Sequence, residues 1–410
     1  MNVADLTHDL VSIPSHEDET AAGDFLEEWL RRETDATVIR DEAGNVLARR
    51  SAGTSDGASG GRDSSSNGPS SGNEFSSDES GRFEPTPAPD SLALVGHHDV
   101  VPPAAEQVDD AGAYVVDERN GRLYGRGTAD MKGAVAAAAV AFRDADLSGS
   151  SGRVDPGDGE TLAGGGELWF ASFVGEEVGG TGARYAIEHG FVPDYAVVGE
   201  GSTNYSGPGV TDVVVAHRGR RGSTISVSGT ASHASEPEVG ENAIYRASDA
   251  VDVLRGLEFP EVAVAGESLR GTLAVTEIEG GSAINVIPDS CTLTVDERTV
   301  PGERAAIERV EELPGVEWLV DQDLPPMECS DEAFAEAVLE AARDVQSGSP
   351  AFVTKPHATD AGWLAEAGTA CVICGPSEPG EAHTKDESVS IAVLERCTET
   401  YRRVAERWIQ

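Results

Sequence analysis

Five short blocks of the sequence concentrate histidine and carboxylate side chains, which bind divalent cations through nitrogen and oxygen atoms. The blocks are residues 96–102 (GHHDVVP), 125–133 (GRGTADMKG), 175–177 (GEE), 199–201 (GEG) and 381–387 (EAHTKDE). Any single block is typical of a strand end or of an acidic surface. Their combination predicts that two histidines and three carboxylates converge on one metal site.

Three of the blocks lie at the ends of short apolar segments that predict β-strands, at residues 91–97 (SLALVGH), 167–174 (ELWFASFV) and 195–201 (YAVVGEG). In open α/β sheets, ligands bind outside the carboxyl ends of the strands. Side chains alternate along a strand, so His97 and Asp99 point to the same side of the chain. A carboxylate that fixes the ring of a ligating histidine is common at metal sites, and this spacing suits such a pair.

The segments that position these blocks alternate between strand and helix. Predicted helices cover residues 3–32, 131–145, 181–189 and 331–346, a hairpin covers 36–49, and a further strand covers 369–374. This alternation predicts an α/β fold with a central, mostly parallel sheet and helices on both faces.

The pattern changes between about residues 214 and 322, where a strand, a helix, two strands and a second helix follow one another. This order is typical of a small antiparallel sheet with two helices on one face, so we predict an inserted α+β lid domain. The catalytic domain then comprises residues 1–213 and 323–410. Segments rich in Ser, Gly and Asp at about 51–89 and 148–165 are predicted to be disordered insertions, because they offer few apolar side chains to bury.

The chain carries 30 basic and 73 acidic side chains, a formal net charge of −43. Such a surface repels nucleic acids and anionic membranes, so neither is an expected partner. The cations are almost all arginine, with lysine only at Lys132, Lys355 and Lys385. This composition favours a halophilic protein, because concentrated salt screens self-repulsion. The first residues lack the basic and apolar regions of a secretory signal, so we expect a cytoplasmic location.

In this order, the five blocks resemble the family of acetylornithine deacetylase, succinyl-diaminopimelate desuccinylase, aminoacylase and glutamate-releasing carboxypeptidase. The resemblance covers the chain outside the two insertions. It implies a di-zinc metallohydrolase with a phosphorylase/hydrolase-like catalytic domain. It also implies a lid through which such proteins often dimerise, so a homodimer is expected.

The resemblance also implies how the metal ligands are shared. By matched position, His97 and Glu200 bind one zinc ion. Glu177 and His383 bind the other, and Asp130 bridges the two. Cobalt or manganese could occupy a site with such mixed nitrogen and oxygen ligands.

Catalytic roles follow from the same match. Asp99 orients His97, and Glu176 is the general base that takes a proton from water. His233, in the segment GTASHA, resembles a lid histidine that stabilises the oxyanion, often across the dimer. The resemblance further implies a cis peptide bond after Asp130.

Three further positions resemble substrate-binding residues of the family, namely Asn285, Arg298 and Thr359. Arginine suits a substrate carboxylate because its guanidinium can bind both oxygens. Each position also has a structural interpretation. Asn285 could cap the turn before Pro288, and Arg298 could pair with a nearby carboxylate such as that of Asp296.

These observations predict an enzyme that hydrolyses the amide bond of a small N-acyl amino acid by metal-activated water. The alternative is a metallo-exopeptidase, a dipeptidase or carboxypeptidase, with the same metal site and a peptide substrate. A catalytically silent binding protein on this fold is a third hypothesis. It predicts a lost ligand or base, whereas all five ligands and Glu176 are present.

Overall fold

The computed structural model describes residues 1–51, 91–148, 166–264 and 266–409. The predicted insertions lie outside these ranges except for Ser51 and Ser148. The helices in the described ranges are α1 (Val3–Val11), α2 (Thr20–Glu33), α3 (Lys132–Asp144), α4 (Thr181–Glu188), α5 (Ala243–Arg255), α6 (Glu332–Asp344), α7 (Asp360–Glu366) and α8 (Ile391–Trp408). None of these helices combines the length and the apolar character that a membrane-spanning helix needs.

The strands in these ranges form five sheets. They are β1 (Thr37–Arg40), β2 (Val46–Ser51), β3 (Ser91–His97), β4 (Asp117–Arg119), β5 (Arg122–Tyr124), β6 (Glu167–Phe173), β7 (Tyr195–Val198), β8 (Val213–His217), β9 (Gly219–Ser228), β10 (Ser232–His233), β11 (Glu261–Val264), β12 (Glu267–Arg270), β13 (Thr272–Gly280), β14 (Val286–Ile287), β15 (Ser290–Thr299), β16 (Val316–Leu324), β17 (Met327–Glu328), β18 (Phe352–Lys355), β19 (Ala370–Ile373) and β20 (Ser388–Ser390).

The largest sheet has nine strands in the order β1-β2-β6-β3-β7-β19-β8-β17, with β18 also paired to β8. Its centre, β6-β3-β7-β19, is parallel, and antiparallel pairs flank it. The parallel strands therefore end at one edge of the sheet. The predicted α/β fold with a mostly parallel centre is confirmed.

Side chains of the central strands alternate between two cores. On β3, Leu92 and Leu94 pack in the core that includes α1, α2, α3, α6 and α8. Ala93 and Val95 pack in the opposite core with α4 and α7. The near-continuous apolar run of this strand is explained by burial on both faces.

Helix α3 is buried along nearly its whole length, from Lys132 to Phe142. Its small alanine side chains allow it to lie close to the sheet. Gly96 on β3 is part of this close approach, because a Cβ atom there would lie 2.8 Å from Val135. The helix begins within the block 125–133, two residues after Asp130, and thereby fixes this block at the sheet edge.

The lid contains a four-stranded antiparallel sheet in the order β13-β15-β9-β16. Helix α5 and a 3-10 helix, Ile307–Glu312, share a buried cluster with its strands. The cluster includes Ile225, Leu293, Ala247 and Val310. The second helix that the sequence predicts in the lid, near residues 302–313, is this short 3-10 helix.

Two predicted segments differ from the structure. The helical segment 3–32 is divided into α1 and α2. Pro14 lies in the gap, and proline disfavours a helical conformation in the residue before it. Strand β8, placed at the start of the lid by sequence, pairs with β19 and β18 in the large sheet. The lid sheet begins at Gly219 and extends to Leu324.

Candidate active site

His97, Asp130 and Glu200 form a group of potential metal ligands at the carboxyl ends of β3 and β7. The Nε2 atom of His97 lies 3.2 Å from Oδ1 of Asp130 and 3.6 Å from Oε1 of Glu200. Ligand atoms at tetrahedral positions around zinc lie about 3.4 Å apart, given bond lengths of about 2.1 Å. The spacing of this group therefore fits a zinc-sized cation.

A second group combines Glu177 and His383 with the other oxygen of Asp130. The Nε2 atom of His383 lies 3.2 Å from Oδ2 of Asp130 and 3.1 Å from Oε1 of Glu177. In each group, the ligand atoms all lie within 4.8 Å of one another. Because His97 faces Oδ1 and His383 faces Oδ2, Asp130 lies where a carboxylate would bridge two cations.

The two groups concentrate negative charge around two imidazole rings. Burial acts to lower the pKa of His97, but the carboxylates of Asp99, Asp130 and Glu200 raise it well above its usual value. Hydrogen bonds with Asp130 and Glu177 raise the pKa of His383 to about 10. An environment that strongly favours positive charge at both rings is also one that attracts divalent cations.

Asp99 connects the two groups. One of its carboxylate oxygens lies 3.2 Å from Nδ1 of His97. The same carboxylate accepts the backbone N–H groups of Glu176, at 3.2 Å, and Glu177, at 3.0 Å. Burial acts to raise the pKa of Asp99, but the His97 ring and these two N–H groups keep it below its usual value. Asp99 thus stays ionised and holds both segments.

The loop that carries Asp130 is held by Glu387. Its Oε1 atom accepts the backbone N–H groups of Gly127, Ala129 and Asp130, at 2.9, 2.9 and 3.1 Å. Its other oxygen pairs with the buried guanidinium of Arg126. The peptide bond after Asp130 is cis, as the resemblance implied. The carboxyl-terminal block, through Glu387, therefore holds the loop that carries Asp130 in place.

Glu176 lies in a cleft of about 310 Å³ together with Asp130, Glu177, Glu200 and His383. Burial raises the pKa of Glu176 well above its usual value, and the neighbouring carboxylates add to this effect. Its carboxylate oxygen lies 4.0 Å from Nε2 of His97. Glu176 therefore lies beside the two candidate ligand groups, in the position that the predicted general base requires.

Comparison with known proteins decides the family. Residues 93–407 match Peptidase family M20/M25/M40. The chain belongs to this family. Its members are metal-dependent peptidases and deacylases, in agreement with the ligand groups above.

Curated relatives of this M20 protein include two kinds of deacylase. The acetylornithine deacetylase of Myxococcus xanthus is 31% identical over an alignment of 327 positions, which covers 75% of this chain and 77% of that protein. The succinyl-diaminopimelate desuccinylase of Gluconobacter oxydans is 31% identical over an alignment of 332 positions, which covers 76% of this chain and 80% of that protein.

Solved structures share the fold. An aminopeptidase from Bacillus cereus superposes with a TM-score of 0.71 at 18% identity and covers 98% of this chain and 97% of its own. A metallo-carboxypeptidase of the M20 family from Sulfolobus solfataricus has a TM-score of 0.67 at 13% identity and covers 99% of both chains. Both agree with the α/β domain and a lid.

The predicted lid residues do not line the cleft of this M20 protein. His233 is exposed on β10, with Nδ1 2.6 Å from Oγ of Ser235. Asn285 lies beside it, because its carbonyl accepts the N–H group of Ala234. Arg298 pairs with Asp296, with Nε 2.7 Å from Oδ1. The structure thus brings the five predicted ligands and Glu176 together and leaves these three residues on the lid.

Thr359 is buried at the start of α7. Its hydroxyl accepts the N–H group of Ala361, at 3.2 Å, and so caps the helix. The same hydroxyl lies 3.2 Å from Nε2 of His217, whose Nδ1 lies 3.0 Å from the carbonyl of Arg218. Nδ1 of His217 thus donates to this carbonyl, and Nε2 accepts from the Thr359 hydroxyl. In this chain, the contacts of Thr359 are with α7 and His217, and they support a structural role.

Sequence reasoning missed several residues of the cleft. Lys355, Tyr205, His357 and Ser377 line it, yet none belongs to the five blocks. The Nζ atom of Lys355 lies 2.8 Å from Oε2 of the ligand Glu200. The scarcity of lysine in this chain was a signal for Lys355, since a rare cation in an acidic protein is a candidate for a specific role.

Proposed function

We propose that the protein binds two zinc ions and hydrolyses the amide bond of a small N-acyl amino acid. The reaction type is that of the acetylornithine deacetylases and succinyl-diaminopimelate desuccinylases it resembles. The observation that carries the proposal is the pair of ligand groups that share Asp130, with Glu176 in the same cleft. The mixed nitrogen and oxygen ligands suit zinc, and they would also accept cobalt or manganese.

When bound, the two cations supply Lewis acidity for the substrate carbonyl and lower the pKa of water. Glu176 accepts a proton from the attacking water and passes it to the nitrogen of the leaving amine. Asp99 keeps the His97 ring oriented and keeps Glu176 at its place on the loop after β6. Glu387 keeps the backbone around Asp130 fixed during this reaction.

The lid residues complete the proposal. We assign the oxyanion to His233 and a substrate carboxylate to Arg298 and Asn285, as the resemblance implies. None of the three lines the cleft in its own chain. In the proposal, these residues reach the substrate when the lid closes over the cleft or when a second chain brings its own lid to it.

A homodimer through the lid is the second part of the proposal. Large apolar side chains are exposed on the lid and are available for an interface. They include Tyr245 at 72%, Ile278 at 56% and Ile284 at 105% relative exposure. Sedimentation of the wild-type protein and of a Tyr245→Asp, Ile284→Asp variant tests this arrangement, and we expect a dimer that the two substitutions convert to monomers.

The alternative function is a metallo-exopeptidase that acts on dipeptides or C-terminal residues. The same ligands would serve it, and the solved structures that share the fold include peptidases. The two curated relatives at 31% identity are named as deacylases, which favours the first proposal. We further propose a cytoplasmic, salt-adapted protein, on the basis of its composition and net charge of −43.

An assay of amine release distinguishes the two functions. The panel comprises N-acetylornithine, N-acetyllysine, N-succinyl-diaminopimelate, other N-acetyl amino acids and dipeptides, in concentrated KCl with zinc or cobalt. We expect turnover of an acylated diamino acid. Cleavage of dipeptides without deacylation would replace the deacylase proposal by the exopeptidase alternative and leave the metal site unchanged.

A further inference from the structure

Lys355 ends β18 and places a buried ammonium group on the wall of the cleft. The residue is 7% exposed and lines the same space as Glu176 and Glu200. Its Nζ atom donates a hydrogen bond of 2.8 Å to Oε2 of Glu200. The other oxygen of Glu200 faces His97. Lys355 therefore contacts the side of Glu200 that is turned away from the first ligand group.

The ammonium group has more donors than the protein uses. A lysine ammonium has three N–H donors. Glu200 is its one side-chain acceptor within the described residues. Since Lys355 lines the cleft, the remaining donors are available to an oxygen atom of a bound substrate.

Apart from Glu200, the cleft places two uncharged polar side chains near Lys355, those of Tyr205 and His357. Burial raises the pKa of Tyr205, so its phenol stays protonated near neutral pH. Burial and the charge of Lys355 lower the pKa of His357, so its ring stays neutral. Lys355 is thus the one lysine or arginine among the described lining residues.

The acidic residues of the cleft near Lys355 have partners of their own. Asp130, Glu177 and Glu200 belong to the two candidate ligand groups, and Glu378 pairs with Arg122 at 2.8 Å. The free donors of the Lys355 ammonium group therefore favour an anionic group of a bound substrate.

A structural role accounts less well for Lys355. The other buried lysine, Lys132, donates to the backbone carbonyls of Leu10, at 3.2 Å, and Ile13, at 2.6 Å. Those contacts tie α3 to the segment after α1. Lys355 makes no such contact through Nζ among the described residues and lies at the substrate cleft instead.

We infer that Lys355, with Tyr205 and His357, binds a carboxylate carried by the acyl group of the substrate. The inference rests on the proposed deacylase function, in which Arg298 and Asn285 take the carboxylate of the amino acid. The preferred substrates are then amides of dicarboxylic acids, such as N-succinyl compounds, over amides of uncharged acids. Lys355 is thus a specificity-determining residue, because its contact with this carboxylate favours one class of acyl group over another.

The test compares N-succinylornithine with N-butyrylornithine, whose acyl chains have equal length and differ in the terminal carboxylate. For the wild-type protein with zinc, kcat/KM should favour the succinyl compound by about tenfold or more, the size of one hydrogen bond to a charged group. Lys355→Gln, which retains a donor for Glu200, should bring the ratio near one. Lys355→Arg should keep most of the preference. A wild-type ratio near one, or an unchanged ratio in Lys355→Gln, would overturn the inference.

Binding of succinate and butyrate to the zinc-loaded protein is a second readout that needs no turnover. Calorimetry should show tighter binding of succinate, with the difference lost in Lys355→Gln and kept in Lys355→Arg. Metal content is measured on the same samples. If no acyl amide is hydrolysed but succinate selectivity depends on Lys355, the deacylase proposal fails and the carboxylate site stands. If the variant loses zinc and keeps its succinate selectivity, Lys355 serves the metal ligand, and the inference fails.

Discussion

The carboxylate of Asp99 lies 3.2 Å from Nδ1 of His97 and also accepts the backbone N–H groups of Glu176 and Glu177. One buried side chain therefore contacts a candidate ligand of the first group, the backbone of a candidate ligand of the second group, and the backbone of the proposed general base. The two groups are linked on one side by this carboxylate and on the other by Asp130.

Asp99→Asn should weaken metal binding about 10- to 100-fold, as loss of a group that orients a ligating histidine does. An amide can accept with only one atom, so one of the two N–H groups loses its partner. Metal titration against a competing chelator measures the change. Asp117→Asn, at an exposed position on β4, is the matched control. Equal affinity in wild type and Asp99→Asn would remove Asp99 from this role.

His383→Ala should reduce the bound metal from two ions to one per chain, because the second group retains only two carboxylates. Elemental analysis after dialysis in buffered zinc measures the number. His8→Ala, an exposed position on α1, is the control and should retain two. Two equivalents in the His383 variant would exclude this residue from the site.

The buried His217 predicts an acid-sensitive step in stability. Burial lowers its pKa to about 4, from a usual value near 6.5. A group whose pKa is lowered on folding contributes stability that is present above the unfolded value. That stability is lost as the pH falls from about 6.5 to about 4, with a magnitude of about 3 kcal/mol.

His217→Gln keeps an acceptor for Thr359 and cannot titrate in this range. Between pH 7 and pH 4, the wild-type free energy of unfolding should therefore decrease more than that of the variant. Denaturant unfolding at several pH values measures this difference, with His8→Gln as the exposed control. Parallel pH profiles for wild type and His217→Gln would contradict the assignment.

The net charge of −43 predicts stability that depends on salt. Self-repulsion destabilises the compact state, and it is screened as the Debye length falls to about 3 Å at 1 M salt. The midpoint of thermal unfolding should rise steeply with KCl. An uncharged osmolyte at equal osmolality should have a smaller effect. A midpoint independent of KCl would reject salt adaptation.

The structure brings the predicted ligands together, and two of them could be placed from sequence because they lie at strand ends in short blocks. His97 ends β3, and Glu200 follows β7 by two residues, so local pattern and sheet geometry together place them. The apolar strands and the alternation with helices likewise predicted the large sheet. Strands, helices and the residues at their ends can be predicted because each depends on the spacing of apolar side chains within a short segment.

Other features depend on distant parts of the chain, which a single sequence does not reveal. Glu387 was part of a recognised block, yet its bonds to the loop before Asp130 join residues about 260 positions apart. Lys355 is separated from Glu200 by 155 positions. The place of β8 in the large sheet also depends on its pairing with later strands. The sequence did not predict these three features because each depends on a contact between segments far apart in the chain.

Glu176→Gln tests the central claim most directly, because it removes the proton-accepting oxygen and keeps the size of the side chain. The measurement combines zinc content with turnover of the best acyl amide at saturating substrate. We predict two zinc ions per chain and a decrease of kcat by about 100-fold or more, the contribution of a general base. Wild-type turnover in this variant, with both ions bound, would contradict the account.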